Sequence, residues 1–258
     1  MAVKFFNMAR ADFLSKKLLY KYMPLERALD LLKNQRLWFA NPTIWKDPFE
    51  KRFIENKYVI GGVQKDFPWK DRVYAMCMTQ TATSEAYWNA YANNDIGISF
   101  KFNRLALLTE LERISNTNGV RIYVGKVEYQ KTSDIKRDLA KNPFLFDGGS
   151  PISSIGKEET KVRLLLLKRI AYRYEDEIRF FIVRDKKANL NGTYLSYGVP
   201  NTSIIDTISL DPNIGDNTVT MLKKVFEVDY GFTPRAPRQA RVQRSLLYAA
   251  NVKDLIKI

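Results

Sequence analysis

The chain of 258 residues contains no histidine and a single cysteine, Cys77. Without histidine there is no Ser-His-Asp triad, no Cys-His dyad and no two-histidine zinc motif. One cysteine can form neither an internal disulfide nor a CxxC metal site, which is compatible with a reducing compartment. Long apolar runs are also missing. The longest purely aliphatic stretch is Leu164 to Leu167, far below the roughly 20 residues that span a bilayer. Lys4, Arg10 and Asp12 break the N-terminus before an export signal can form. A cytoplasmic protein with no membrane contact is therefore expected. Catalysis, if present, rests on carboxylates, hydroxyls, Lys, Arg or Tyr.

Phosphate loops are missing too. The nearest approach, Gly149 to Lys157, has the wrong glycine spacing and carries Glu158 where Ser or Thr would hold magnesium. No G-x-G-x-x-G supports a dinucleotide fold.

What the chain has is positive charge. Lys plus Arg number 42 against 28 Asp plus Glu, a formal net charge of +14. Such a surface attracts polyphosphates, nucleic acid foremost. Candidate phosphate contacts are a basic helix over 161–172 (Lys161, Arg163, Lys168, Arg169, with Arg173 beyond it) and the series Arg235, Arg238, Arg241 and Arg244. Apart from nucleic-acid binding, such runs also serve as solvated faces that keep a protein soluble.

The pattern of short strands and helices predicts one α+β domain over 18–258, preceded by a leader helix over 1–17. Strands are expected at 18–22, 37–40, 72–79, 97–102, 121–129, 177–183, 203–210 and 243–247. Helices are expected at 25–32, 84–91, 105–114 and 217–230. Asp47-Pro48-Phe49-Glu50 reads as a turn, Asn116 to Gly119 as another, and 131–156 as a flexible insertion.

The segment Tyr172 to Phe181 (Y-R-Y-E-D-E-I-R-F-F) carries the most chemistry. In extended backbone Glu175 and Glu177 share one face and Asp176 takes the other. Paired carboxylates serve acid–base work, metal binding or stabilisation of a cationic transition state. The plainer reading is a solvated acidic turn laced to Arg173 and Arg179. Three further segments stand out. Tyr20 and Tyr22 share a strand face with Lys21 opposite. The second is W-F-A-N-P at 38–42, followed by D-P-F-E at 47–50. In the third, Ser84 caps a helix on which Trp88 and Tyr91 share a face.

In combination, L-Y-K-Y, W-F-A-N-P with D-P-F-E, W-N-A-Y-A-N-N with G-I-S-F, and Y-E-D-E-I-R-F-F resemble a widespread bacterial family catalogued as a domain of unknown function. The resemblance runs over roughly 18–248. That family is in turn distantly similar to the ADP-ribosyltransferase superfamily, which splits NAD at the nicotinamide–ribose bond. The resemblance implies a single domain with a mostly antiparallel split sheet and flanking helices. It implies a first-strand position at Lys21, where the superfamily has His or Arg. It also implies a middle element at Thr79 or Ser84 with Trp88 and Tyr91, and a late Glu-x-Glu at Glu175 and Glu177.

On that resemblance Glu177 stabilises the ribose cation and Glu175 orients or deprotonates the acceptor. Tyr20, Tyr22, Trp88 or Tyr91 flank nicotinamide, and Lys21 or Arg179 meets the NAD phosphates. The reaction uses NAD as substrate and no metal. The acceptor is a macromolecule, RNA or DNA, in a toxin or antiphage setting, with an inhibitory partner protein. Two alternatives stand beside it: a non-catalytic nucleic-acid-binding module, and a metal-dependent nuclease using Asp47, Glu50, Glu175 and Glu177.

Overall fold

The computed structural model describes residues 3–60, 63–92, 96–141, 158–184, 193–199, 202–236 and 239–248. Its elements begin with β1 (Lys4–Phe6), α1 (Arg10–Ser15), β2 (Leu18–Pro24), α2 (Leu25–Asn34) and β3 (Arg36–Ala40). Next come α3 (Pro48–Glu55), β4 (Lys57–Ile60), β5 (Val63–Asp66), β6 (Val73–Thr79), α4 (Glu85–Ala92) and β7 (Gly97–Asn103). Then follow α5 (Arg104–Asn118), β8 (Arg121–Lys126), β9 (Glu128–Gln130), α6 (Thr132–Lys141), α7 (Glu158–Leu166) and β10 (Leu167–Arg169). The last are β11 (Glu177–Val183), β12 (Tyr194–Gly198), β13 (Ile205–Leu210), α8 (Asp216–Lys224) and β14 (Val242–Arg244). The architecture is mixed α and β, with mostly antiparallel strand pairs and flanking helices. No helix among the described residues is long and apolar enough to cross a membrane.

The chain divides into two compact units, each assembled from three separate stretches. The first comprises 1–15, 38–77 and 109–197; the second comprises 16–37, 78–108 and 198–258. No linker composition marks the divisions, because the chain passes repeatedly from one unit to the other.

In the first unit β1 runs parallel to β8, β8 is antiparallel to β11, and β11 neighbours β6. All seven residues of β11 (E-I-R-F-F-I-V) are buried. A strand covered on both faces normally reads as continuously apolar, so Glu177 and Arg179 within it are exceptions that need a partner. The core packs Phe53, Ile54, Trp69, Tyr123, the leucines of α7 and Phe181.

In the second unit β2 and β13 flank β7 on its two sides, both antiparallel to it. Leu19, Met23, Ile98, Phe100, Phe102, Ile208 and Leu210 fall on one sheet face and are buried. Tyr20 and Tyr22 fall on the other.

Several sequence expectations need correction. Where a leader helix is expected over 1–17, the described residues 3–17 hold a paired strand and a helix of about a turn and a half, because Lys4-Phe5-Phe6 finds an edge on β8. The D-P-F-E turn is a helix start: Asp47 caps α3 through Phe49 N (2.9 Å) and Pro48 sits in the first turn, where its missing N–H costs nothing. Helix α5 runs through Asn118 and stops at Gly119, whose φ of +61° suits glycine. The strand expected over 121–129 is two strands in different sheets. Residues 132–141 of the expected insertion are helix α6; residues 142–156 lie outside the described residues. The basic helix over 161–172 is instead α7, β10 and a 3-10 turn over Ile170–Glu175.

Gly125 on β8 is pressed against Leu166 of α7, and a Cβ there would run into the leucine methyl groups. Gly125→Ala is therefore expected to lower stability by about 1–3 kcal/mol, read as a drop in Tm. A companion Leu166→Val change should recover part of it. An unchanged Tm in Gly125→Ala would contradict the close helix–strand contact.

Candidate active site

Five ionisable side chains meet in the interior of the first unit: Glu50, Lys168, Glu175, Glu177 and Arg179, each no more than 6% exposed. They come from four local elements. Glu50 lies in the first turn of α3, behind the Asp47 cap. Lys168 stands in the middle of the short strand β10. Glu175 ends the 3-10 turn, and Glu177 opens β11. Between them Asp176 adopts a left-handed conformation (φ 37°) and pairs outward with Lys126 at 3.2 Å. Glu175 and Glu177 thus converge through a backbone reversal, not through the pleat of a strand. Arg179 follows Glu177 at two residues' spacing on one strand face, as strand periodicity requires.

The Lys168 ammonium lies 2.5 Å from Glu175 Oε2 and 3.4 Å from both Glu50 Oε2 and Glu177 Oε2. The Arg179 guanidinium donates from Nε to Glu177 Oε1 (3.1 Å) and from Nη2 to Glu177 Oε2 (2.9 Å). It also donates to a carboxylate oxygen of Glu50 and, from Nη1, to the Leu165 carbonyl (2.6 Å). The Trp45 ring covers Arg179 at 4.3 Å, and Tyr172 covers Lys168 at 5.0 Å. These rings exclude water while their electron-rich faces favour the cations. The Glu177 N–H donates to the Tyr129 hydroxyl at 3.0 Å. At the margin Arg169 pairs with Asp47 at 2.8 Å.

Three carboxyl groups therefore share two cations. Burial penalises every uncompensated charge, so one carboxyl is left to take a proton. Burial and the neighbouring Glu177 charge raise Glu175 to about 7, against the pull of Lys168. Glu177 goes the other way: Arg179 and Lys168 outweigh its burial and hold it at about 2. Two carboxyls two residues apart thus have opposite proton affinities, the pattern that assigns acid–base and electrostatic roles in many active sites. Lys168 itself is raised by the three carboxylates despite its burial.

The solvated acidic turn expected from sequence is overturned by this burial, and Arg173 is exposed while Lys168 takes the role given to it. Lys161 and Lys168, expected to face phosphates, are both buried; Lys161 lies over the Trp69 ring at 4.9 Å. Arg163 is exposed. Arg235 pairs with Asp206, Arg241 donates to the Ile205 and Asp206 carbonyls, and Arg244 pairs with Asp216. Arg238 lies outside the described residues. For the nuclease alternative, Glu50, Glu175 and Glu177 do come together, but Lys168 and Arg179 occupy the space between them. Among the described residues no group of three or more Asp, Glu or Cys is arranged to hold a metal ion.

The second unit gathers the aromatic candidates. Tyr22 stacks on Tyr87 at 4.9 Å and meets Trp88 edge-on at 4.8 Å; Tyr91 stacks on Tyr87 at 5.4 Å. Tyr20 packs on the same cluster. Trp88 is buried and Tyr91 is 40% exposed, and Tyr87 is the ring that joins Tyr91 to Tyr22. Lys21 points to the apolar side, opposite Phe100, and Ser84 is half-buried before α4. Thr79 pairs with Tyr20 across β6 and β2.

Residues 87–180 match a family described as "Protein of unknown function (DUF2971)". The match takes in the tryptophan helix, Lys168 and the Glu175–Arg179 segment. It begins after L-Y-K-Y, W-F-A-N-P and D-P-F-E. No curated protein and no solved structure matches the chain.

The sign of the pH dependence follows from the two shifts. Glu177 contributes stability that is present above the ordinary value of 4.5 and is lost as pH falls toward about 2. Glu175 keeps in the folded chain a proton that the unfolded chain releases, so stability falls as pH rises from 4.5 to about 7. Urea unfolding at pH 5 and pH 7 is expected to show this loss in the native chain and a smaller one in Glu175→Gln. An equal loss in both would place the titrating group elsewhere.

Proposed function

We propose that the chain is an enzyme of the carboxylate type, transferring ADP-ribose from NAD to an acceptor hydroxyl or amine. The observation that carries this reading is the unequal pairing of two buried neighbouring carboxyls: Glu177 meets both Arg179 and Lys168, which favour its charge, while Glu175 meets Lys168 beside the Glu177 charge, which raises its proton affinity. Departure of nicotinamide with the bonding electron pair leaves a ribose oxocarbenium ion. The fixed negative charge of Glu177 favours that cation electrostatically. Glu175 accepts the acceptor's proton as the new C–O or C–N bond forms. The ADP-ribosyltransferase-like fold and the toxin or antiphage setting belong to the same proposal. So do a nucleic-acid acceptor, attracted by the +14 charge, and an inhibitory partner protein.

A second reading has its own support. Both oxygens of Glu177 are already engaged by Arg179 and Lys168. This favours a structural ion cluster in a non-catalytic nucleic-acid-binding module. In that case substitution alters stability and leaves salt-steep polynucleotide binding as the main activity.

Nicotinamide release from NAD decides between them. Glu177→Gln and Glu175→Gln are each expected to lower the rate by about a hundredfold or more, with circular dichroism confirming that the variants fold. In the native chain the rate should rise through pH 7 as Glu175 ionises. Rates unchanged in both folded variants, or no release by the native chain, would leave the binding module.

A further inference from the structure

The second unit carries an in-register row of polar side chains on the face of its sheet opposite the apolar core. Tyr20 on β2 stands directly across from Lys101 on β7, and Lys101 directly across from Thr207 on β13. Opposed residues of antiparallel strands point to one side, with neighbouring Cβ atoms about 4.5–5.5 Å apart. A bulge at Asp206 sets this register: Ile205 pairs with Phe102 and Thr207 with Lys101, so one extra residue is absorbed between them.

All three side chains are half-buried. None makes a hydrogen bond or an ion pair among the described residues, and the Thr207 hydroxyl is fully enclosed without a partner. Burial lowers the proton affinity of Lys101, and only the charge of Asp206 opposes this. Asp206 is itself bound by Arg235 at 2.7 Å. Arg104, fully buried, adds positive potential at Tyr20. On the same side Trp88, 3% exposed and packed on Tyr22, holds its indole N–H without an acceptor.

Half-buried donors without acceptors are costly unless something supplies the missing oxygen atoms. From this row we infer a binding site for the phosphate group of a small phosphorylated molecule. The Lys101 ammonium supplies the charge and the Tyr20 and Thr207 hydroxyls donate to phosphate oxygens on either side. Lysine meets phosphate as a point charge and needs no planar fork. The row spans two strand spacings, about 10 Å, so a diphosphate can reach more of it than a single phosphate. The inference does not depend on the carboxylate chemistry of the first unit.

Isothermal titration of the full chain with pyrophosphate and, separately, with ADP tests it. Saturable one-to-one binding of pyrophosphate is expected, weakened about tenfold by Lys101→Gln and measurably by Thr207→Val. Lys33→Gln, which removes an exposed charge on α2, should leave it unchanged. Tighter binding of ADP than of pyrophosphate would make the ligand a nucleotide; equal affinities would make it a free diphosphate. Lys101→Arg, which keeps the charge, should retain most of the binding if the glutamine variant fails to fold. No saturable binding by the native chain, or the same loss in Lys33→Gln as in Lys101→Gln, would overturn the site.

Discussion

The charge arithmetic of one buried cluster governs the first unit. Three carboxyl groups and two cations are enclosed together, and a low-dielectric interior does not tolerate the unmatched charge. The imbalance falls on Glu175, which has Lys168 as its ion-pair partner, and spares Glu177, which has both Lys168 and Arg179. The surrounding elements serve this arrangement. The Asp47 cap starts α3 so that Glu50 faces inward, the left-handed Asp176 returns Glu175 toward Lys168, and Trp45 and Tyr172 close over the cations. Removal of one partner would strand a charge that burial cannot accommodate, so the cluster binds α3, β10 and β11 into one cooperative piece.

Strong periodicity made much of the fold legible. The alternation in G-I-S-F-K-F and the spacing of Leu25, Ala28 and Leu32 correspond to β7 and α2. The hydrophobic run of β11 was readable for the same reason. Helix α3 was obscured because Asp-Pro signals both a turn and a helix cap, and local chemistry alone does not separate the two. Taken by composition alone, the basic segment over 161–172 reads as surface charge. In fact Lys161 and Lys168 flank the Leu164–Leu167 run, whose burial carries them inward. Lys168 directly follows the four leucines, but Arg163, which directly precedes them, is exposed, so the run alone does not single out the buried cations.

The spacing of Glu175 and Glu177 points to the pair, but a strand pleat accounts for only part of its geometry. Strand periodicity placed Glu175 and Glu177 on one side; the backbone achieves this through the turn at Asp176. In the sequence Glu50 stands beside that pair only as a metal ligand of the nuclease alternative, and Lys168 only as a phosphate contact; the packing of α3 against β10 is what brings all four side chains together. The division into two units was equally hidden, because each is built from three stretches with no boundary signal. The polar row on β2, β7 and β13 depends on strand register, a property of pairing that no single segment reveals.

The most direct measurement is a carbon-detected NMR titration of the glutamate side-chain carboxyls in the folded chain. The charge imbalance requires one buried glutamate, Glu175, to titrate near pH 7, while Glu177 remains ionised down to about pH 2. If every glutamate instead titrates below pH 5, the cluster holds no shared proton, and the acid–base role assigned to it is wrong.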